Sequence, residues 1–187
     1  MDIVNKFCEI LRKRSSEHAE AMKRANDLPG IMASILRQEL DSMVRAIYLL
    51  SIVDLNERSR LIKQTLDGEK WTRKTAKRKN KRITDKEMVD LSNELQGWTL
   101  SVYKFGCSFI HFSNNHDYSS ENPFEKLDSD GKKNILEHLR NYHCGPTNDN
   151  PSFEELATYF PGVFDKIAGN LECYIKDLEN NKIINIA

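Results

Sequence analysis

Four of the five histidines, His111, His116, His138 and His143, fall within 33 residues. Imidazole is the side chain whose ordinary pKa places proton transfer near neutral pH. Lys104, Ser108 and His111 precede and join this group, with His111 three residues after Ser108 and seven after Lys104. Seven residues return a helix to almost the same angle, so the three share one flank. A cation beside an imidazole can hold a phosphate and move its proton. The plainer reading of the same trio is a solvent-facing polar ridge. Neither histidine pair has the i, i+4 spacing that aims two imidazoles at one ion, and no carboxylate pattern completes a site, so no metal is expected. Cys144 follows His143, but neighbours at a helix end point apart and do not make a nucleophile and its base. There is no Gly-rich phosphate loop, no G-x-S-x-G and no H-E-x-x-H, and no cofactor is expected.

A second group of residues carries charge rather than proton chemistry. Lys70, Arg73, Lys74, Lys77, Arg78, Lys79, Lys81 and Arg82 are eight basic residues in thirteen, with no acid among them. The chain as a whole has 28 basic and 28 acidic residues, so the remainder is left at −8. A neutral total gives no net field to steer the molecule to nucleic acid or an anionic surface. The segment alone could neutralise phosphates, without sequence specificity. The candidate contacts are Arg73, Lys74, Lys77, Arg78, Lys79, Lys81 and Arg82. Two other readings stand beside this one: a solvated, mobile connection, and an arm lying on the acidic body. Trp71 is either a stacking platform for a base or an anchor that pins the segment.

The elements that must position these groups are helices. Gly (8) and Pro (5) are few for 187 residues, and strand reversals need such turn chemistry. Ile3, Phe7, Ile10, Leu11, Met22 and Ala25 mark a first helix over about 2–26, with His18 near the stripe. Pro29 opens a second over about 29–54, with a seam of Ile31, Ile35, Leu36, Leu40, Met43, Ile47, Leu50 and Val53. Glu39 lies close to that seam and is expected to reach its edge, because carboxylates are seldom fully buried. Residues 55–83 read as a basic, partly mobile connection. A T-x-x-E capping box at Thr84 and Glu87 then starts a third helix. Its apolar residues, Met88, Leu91, Leu95, Trp98, Val102, Phe105, Phe109 and Phe112, step by 3, 4, 3, 4, 3, 4, 3. That is bundle geometry, and a second stripe through Leu100, Tyr103, Cys107 and Ile110 suggests a central helix. A shorter helix over 129–143 follows. An S-x-x-E box at Ser152 and Glu155 opens the last one, which Pro161-Gly162 should break or kink.

Cys8, Cys107, Cys144 and Cys173 sit in different elements with no C-x-x-C pair, which reads as reduced thiols in a cytoplasmic protein. The N-terminus lacks an apolar core of signal-peptide length, and no run is long enough to span a membrane. The expectation is one domain over 1–187: all-α, an antiparallel up-and-down bundle of about five helices with a basic insertion between the second and third.

The helix RQELDSMVRAIYLLS, the polar basic segment after it, and the helix ending YKFGCSFIHFSNNHDY together resemble the HEPN-like all-α superfamily. The resemblance covers roughly residues 30–120. It implies a four- to five-helix bundle, often dimeric, of a kind found among ribonucleases and partners of nucleotidyltransferases in toxin–antitoxin and phage-defence systems. Catalytic members carry an arginine, four to six residues, then a histidine; here Lys104 stands at that distance before His111. The leading expectation is therefore a non-catalytic or weakly catalytic interaction protein, homodimeric, associated with RNA or nucleotide or with a protein partner, and not with a membrane. One alternative is a metal-independent ribonuclease, with His111 as acid/base and Lys104 stabilising phosphate charge. Another is a protein-interaction bundle with no nucleic-acid role.

Overall fold

The structure, a computed structural model, describes residues 2–74, 79–110, 116–118 and 120–185. Helices dominate these residues. In chain order they are α1 (Ile3–Arg24), α2 (Pro29–Ser51), α3 (Leu55–Leu66), α4 (Asp85–Gln96), α5 (Thr99–Ile110), α6 (Ser129–His143), α7 (Phe153–Ala157) and α8 (Phe160–Glu179). A short antiparallel ribbon, β1 (Thr72–Lys74) and β2 (Asn80–Arg82), lies between α3 and α4. No helix among the described residues is long and apolar enough to cross a membrane.

The central element is α2, not the helix with the regular seam. Leu40, Met43, Val44, Ala46, Ile47, Leu49 and Leu50 are fully buried, on every side of the cylinder. A helix apolar all round must be surrounded, and α8, α5, α4, α1, α7 and α3 all pack against α2. Glu39 shares this burial. It does not reach the edge as expected but is 0% exposed, because Ser15 and His18 on α1 hydrogen-bond both of its oxygens. Three residues of the expected seams are exposed instead: Ile10, within the first, and Ile31 and Val53, at the two ends of the second.

The seam from Met88 to Phe112 is cut in two. Gly97 takes φ +76°, the left-handed conformation that ends a helix, and its N–H donates to Asn93 O at 2.8 Å. Asn93 Oδ1 then accepts from Leu100 N at 3.1 Å, tying the start of α5 to the end of α4. Met88 and Phe105 are buried while Leu95, at the break, is exposed. Phe112 lies outside the described residues.

Two further expectations change in detail. The 55–83 connection contains a helix, α3, capped by Asp54, whose Oδ1 accepts from Asn56 N, followed by the ribbon. The Ser152–Glu155 box is formed in both directions and opens α7, but the break comes before Pro161 rather than at it. Proline lacks an N–H, which a first helical turn does not need, so Pro161 sits within the first turn of α8. The helix over 129–143 is as expected, with Asp128 as its cap and Cys144 in the left-handed region at its end.

Candidate functional site

The best-formed polar site lies where α5 crosses α2, and a glycine creates it. A Cβ built on Gly106 would stand 2.6 Å from the Cβ of Arg37 and 3.4 Å from Ala33 O. Any other residue would push the helices apart. The close approach lays Arg37 along α5, where it is only 6% exposed. Its guanidinium carbon sits 4.1 Å from the centre of the Tyr103 ring, and its Nε donates to Cys107 Sγ at 3.4 Å. Stacking on an aromatic face while donating in plane suits the flat, weakly hydrated guanidinium. Burial draws the Arg37 pKa down, but the bond to Cys107 and the charge of Asp41 outweigh it, so the group is held charged. Burial also pushes the Tyr103 phenol above its ordinary value, with Cys107 adding to the rise and Arg37 opposing it.

The two carboxylates of the site bond to a different arginine. Asp41 and Asp85 accept from Arg45 at 3.0 and 3.1 Å, whereas each lies 3.9 Å from the Arg37 nitrogens, beyond hydrogen-bond reach. Arg14, Gln38 and Ile110 complete the walls of a cleft of about 340 Å³. Three arginines thus face two aspartates, and the most buried cation is paired with both carboxylates only at 3.9 Å, without a hydrogen bond to either. Such a cleft is suited to an anion that can take two parallel N–H groups, a phosphate above all.

The basic ribbon adjoins this cleft. Arg45 lies over the Trp71 ring at 5.2 Å. Trp71 is buried, with its Nε1 donating to Thr65 Oγ1 at 2.7 Å, so it is the anchor of the segment and not an open platform. The base is clamped further by Ile83 N to Trp71 O at 2.9 Å, by Gln64 on the backbone and hydroxyl of Thr72, and by Arg60 on the Thr72 carbonyl. In the ribbon Arg73 stands opposite Lys81, Thr72 opposite Arg82 and Lys74 opposite Asn80. Like charges directly across a pair of strands repel. Glu87 relieves part of this through an ion pair to Arg73 at 2.5 Å. Lys74, Lys79, Lys81 and Arg82 are exposed; Lys77 and Arg78 lie outside the described residues.

Lys104 and Ser108 sit on α5 one step round from Tyr103 and Cys107, with Lys104 exposed and the Ser108 hydroxyl 3.5 Å from Lys104 O. They flank the cleft without lining it. His111 lies outside the described residues. The other described histidines stand apart from this cleft, and His138 and His143 lie together with ring centroids 5.3 Å apart. His116 bonds the Phe109 carbonyl at 3.2 Å through Nε2, while His138 and His143 belong to α6 on the opposite flank of α5. Sequence reading missed Arg37, Tyr103 and Cys107 as a unit. The available signal was Gly106, since a glycine inside an apolar helix marks a close approach of another backbone. Compared with family models, with curated proteins and with solved structures, the chain finds no match.

Proposed function

We propose that this chain is a non-catalytic RNA-associated protein that holds the phosphate backbone between its basic ribbon and the Arg37 cleft. The observation that carries this reading is the ribbon register. Pairing Arg73 with Lys81 concentrates positive charge on an anchored element that runs, through Trp71 and Arg45, into a cleft with three arginines. A polyanion removes the repulsion that the register builds in. The HEPN-like reading, with its up-and-down bundle, homodimer, cytoplasmic location and defence or toxin–antitoxin setting, is part of this proposal. Its support is the crossing of α2 and α5 with the basic ribbon between them in sequence. Light scattering on the purified chain tests the dimer.

The test of RNA association is the salt dependence of binding to a short single-stranded RNA, read by fluorescence anisotropy. Binding should weaken linearly on a log–log plot. In the Lys74→Ala, Lys81→Ala, Arg82→Ala triple variant the slope should fall by about 2, roughly 0.7 for each phosphate no longer neutralised. Binding that ignores salt, or a slope unchanged in the triple variant, would leave the protein-interaction reading in its place.

One observation favours the ribonuclease alternative. Arg37 supplies, from α2, a guanidinium against the α5 turn that precedes His111, where the sequence of α5 itself offers only Lys104. Metal-independent cleavage of RNA that is abolished in His111→Ala and reduced in Arg37→Lys would establish it. RNA that stays intact with the wild-type chain discards it.

A further inference from the structure

Glu39 on α2 is wholly buried beneath α1, and two α1 side chains take its two oxygens. The Ser15 hydroxyl donates to Oε1, and His18 Nδ1 lies 2.6 Å from Oε2. A carboxylate only accepts, so Nδ1 keeps its proton and the neutral ring carries its lone pair on Nε2. The His18 side chain is 12% exposed. Its Nε2 has no hydrogen bond among the described residues and is not sealed from solvent. The ring is thus fixed, with one nitrogen tied inward and the other open outward.

Such an imidazole can bind a metal, move a proton for a neighbour, or attack an electrophile itself. A metal needs further ligands, and no group of three His, Cys, Asp or Glu side chains stands together among the described residues. Arg14, one turn before His18 on the same side of α1, also opposes a cation. Ser15 is not activated as a nucleophile, because its hydroxyl donates to Glu39 and not to the ring. The open Nε2 is left as the nucleophile.

Its neighbours select the electrophile. Residues four apart on a helix have Cβ atoms about 5–6 Å apart, so the exposed Arg14 guanidinium can reach a group carried on Nε2. Arg14 also walls the cleft that holds Arg37 and Arg45, as does Gln38, next to Glu39 in the chain. An incoming group meets positive charge there, which suits phosphoryl oxygens. Glu39 lies against the other edge of the ring and stabilises the positive charge that the ring gains when Nε2 is substituted.

We propose that His18 is a phosphoryl-acceptor site, taking phosphate on Nε2 from a donor with a phosphorus–nitrogen bond, with Arg14 holding the transferred oxygens and Glu39 positioning the ring. The Nε2 lone pair forms the new bond to phosphorus. The donor's phosphorus–nitrogen bond breaks, and its electron pair leaves with the donor nitrogen. With the phosphoramidate zwitterion as donor, the ammonium nitrogen departs as neutral ammonia. No proton has to move, since Nδ1 keeps its own and the imidazolium so formed faces Glu39. The site does not rest on the RNA reading, because no RNA takes part in the step.

Phosphoramidate is the probe, incubated with the full chain in mildly alkaline buffer. Tandem mass spectrometry maps the labelled residue, and ³¹P NMR identifies the nitrogen that carries the phosphate. The expected product is an acid-labile phosphoryl group on His18 Nε2, formed at least about tenfold faster than on a blocked histidine peptide, the worth of one charge-assisted contact. Arg14→Ala should slow labelling about tenfold and Arg14→Lys should restore part of the rate, with the urea midpoint unchanged in both because the side chain is exposed. The proposal is overturned if His18 is labelled no faster than the peptide, if the phosphate sits on Nδ1, or if Arg14→Ala is labelled as fast as the wild type.

Discussion

His18 Nδ1 lies 2.6 Å from Glu39 Oε2 across the contact of α1 with α2, and the Glu39 side chain is fully out of water. A carboxylate only accepts, so Nδ1 carries the proton of this bond. The Ser15 hydroxyl donates to the other oxygen. Removing one partner of a buried pair is far more costly than removing both. His18→Ala should lower stability to urea by about 3–5 kcal/mol. The double variant His18→Leu, Glu39→Leu should recover most of that loss. A double variant whose loss equals the sum of the two single losses would mean that the pair has no coupling.

Gly106 is the close approach on which the cleft depends. Gly106→Ala meets Arg37 Cβ at 2.6 Å, and the stem of Arg37 is held by Tyr103 and Cys107 and cannot swing clear. The expected loss is about 1–3 kcal/mol, the usual cost of overpacking, seen as a lower melting temperature. Under the proposed function RNA affinity should fall as well, since the arginine is displaced. A variant as stable as the wild type would show that α2 and α5 can separate freely.

The buried histidine of α6 makes stability depend on pH. The folded pKa of His138, about 4, lies below its ordinary 6.5. The unfolded chain therefore binds the proton first, and acid favours unfolding. The stability tied to His138 is fully present above pH 6.5 and is lost as pH falls towards 4. It amounts to at most about 3 kcal/mol. The check is the difference between wild type and His138→Phe in urea midpoint at pH 7.5 and pH 4.5. That difference should shift in favour of the phenylalanine variant at the lower pH, and a constant difference would refute the assignment.

Arg58 presents the opposite case, a buried charge with few partners. It is 1% exposed and caps the end of α2, with Nη2 donating to Ile52 O at 3.0 Å, while Nε and Nη1 have no hydrogen-bond partner among the described residues. Burial lowers its pKa. An uncharged side chain of similar length should serve as well there, since the cost of desolvating the guanidinium is removed along with its bonds. Arg58→Met is expected to stay within about 1 kcal/mol of wild type in urea unfolding. A loss of several kcal/mol would show that the carbonyl cap outweighs the desolvation.

Local chemistry was legible in the sequence wherever one residue's own properties decide the outcome. The Ser152–Glu155 box, the helix over 129–143, the start of α2 at Pro29 and the all-helical class follow from caps, breakers and periodicity, which act within a turn or two. The seam through Met88 and Phe105 was real as a pattern but not as one helix. Periodicity reports which residues are apolar, and a single left-handed glycine at 97 can end a helix without disturbing that count. What only the tertiary structure decided are the relations between elements distant in the chain. They include the burial of Glu39 under His18, the encirclement of α2, the meeting of Arg37 with Tyr103 and Cys107 over Gly106, and the enclosure of His138 by α5 and α8. Burial and pairing depend on which surfaces meet, and a linear pattern fixes the surfaces of each helix without fixing their partners.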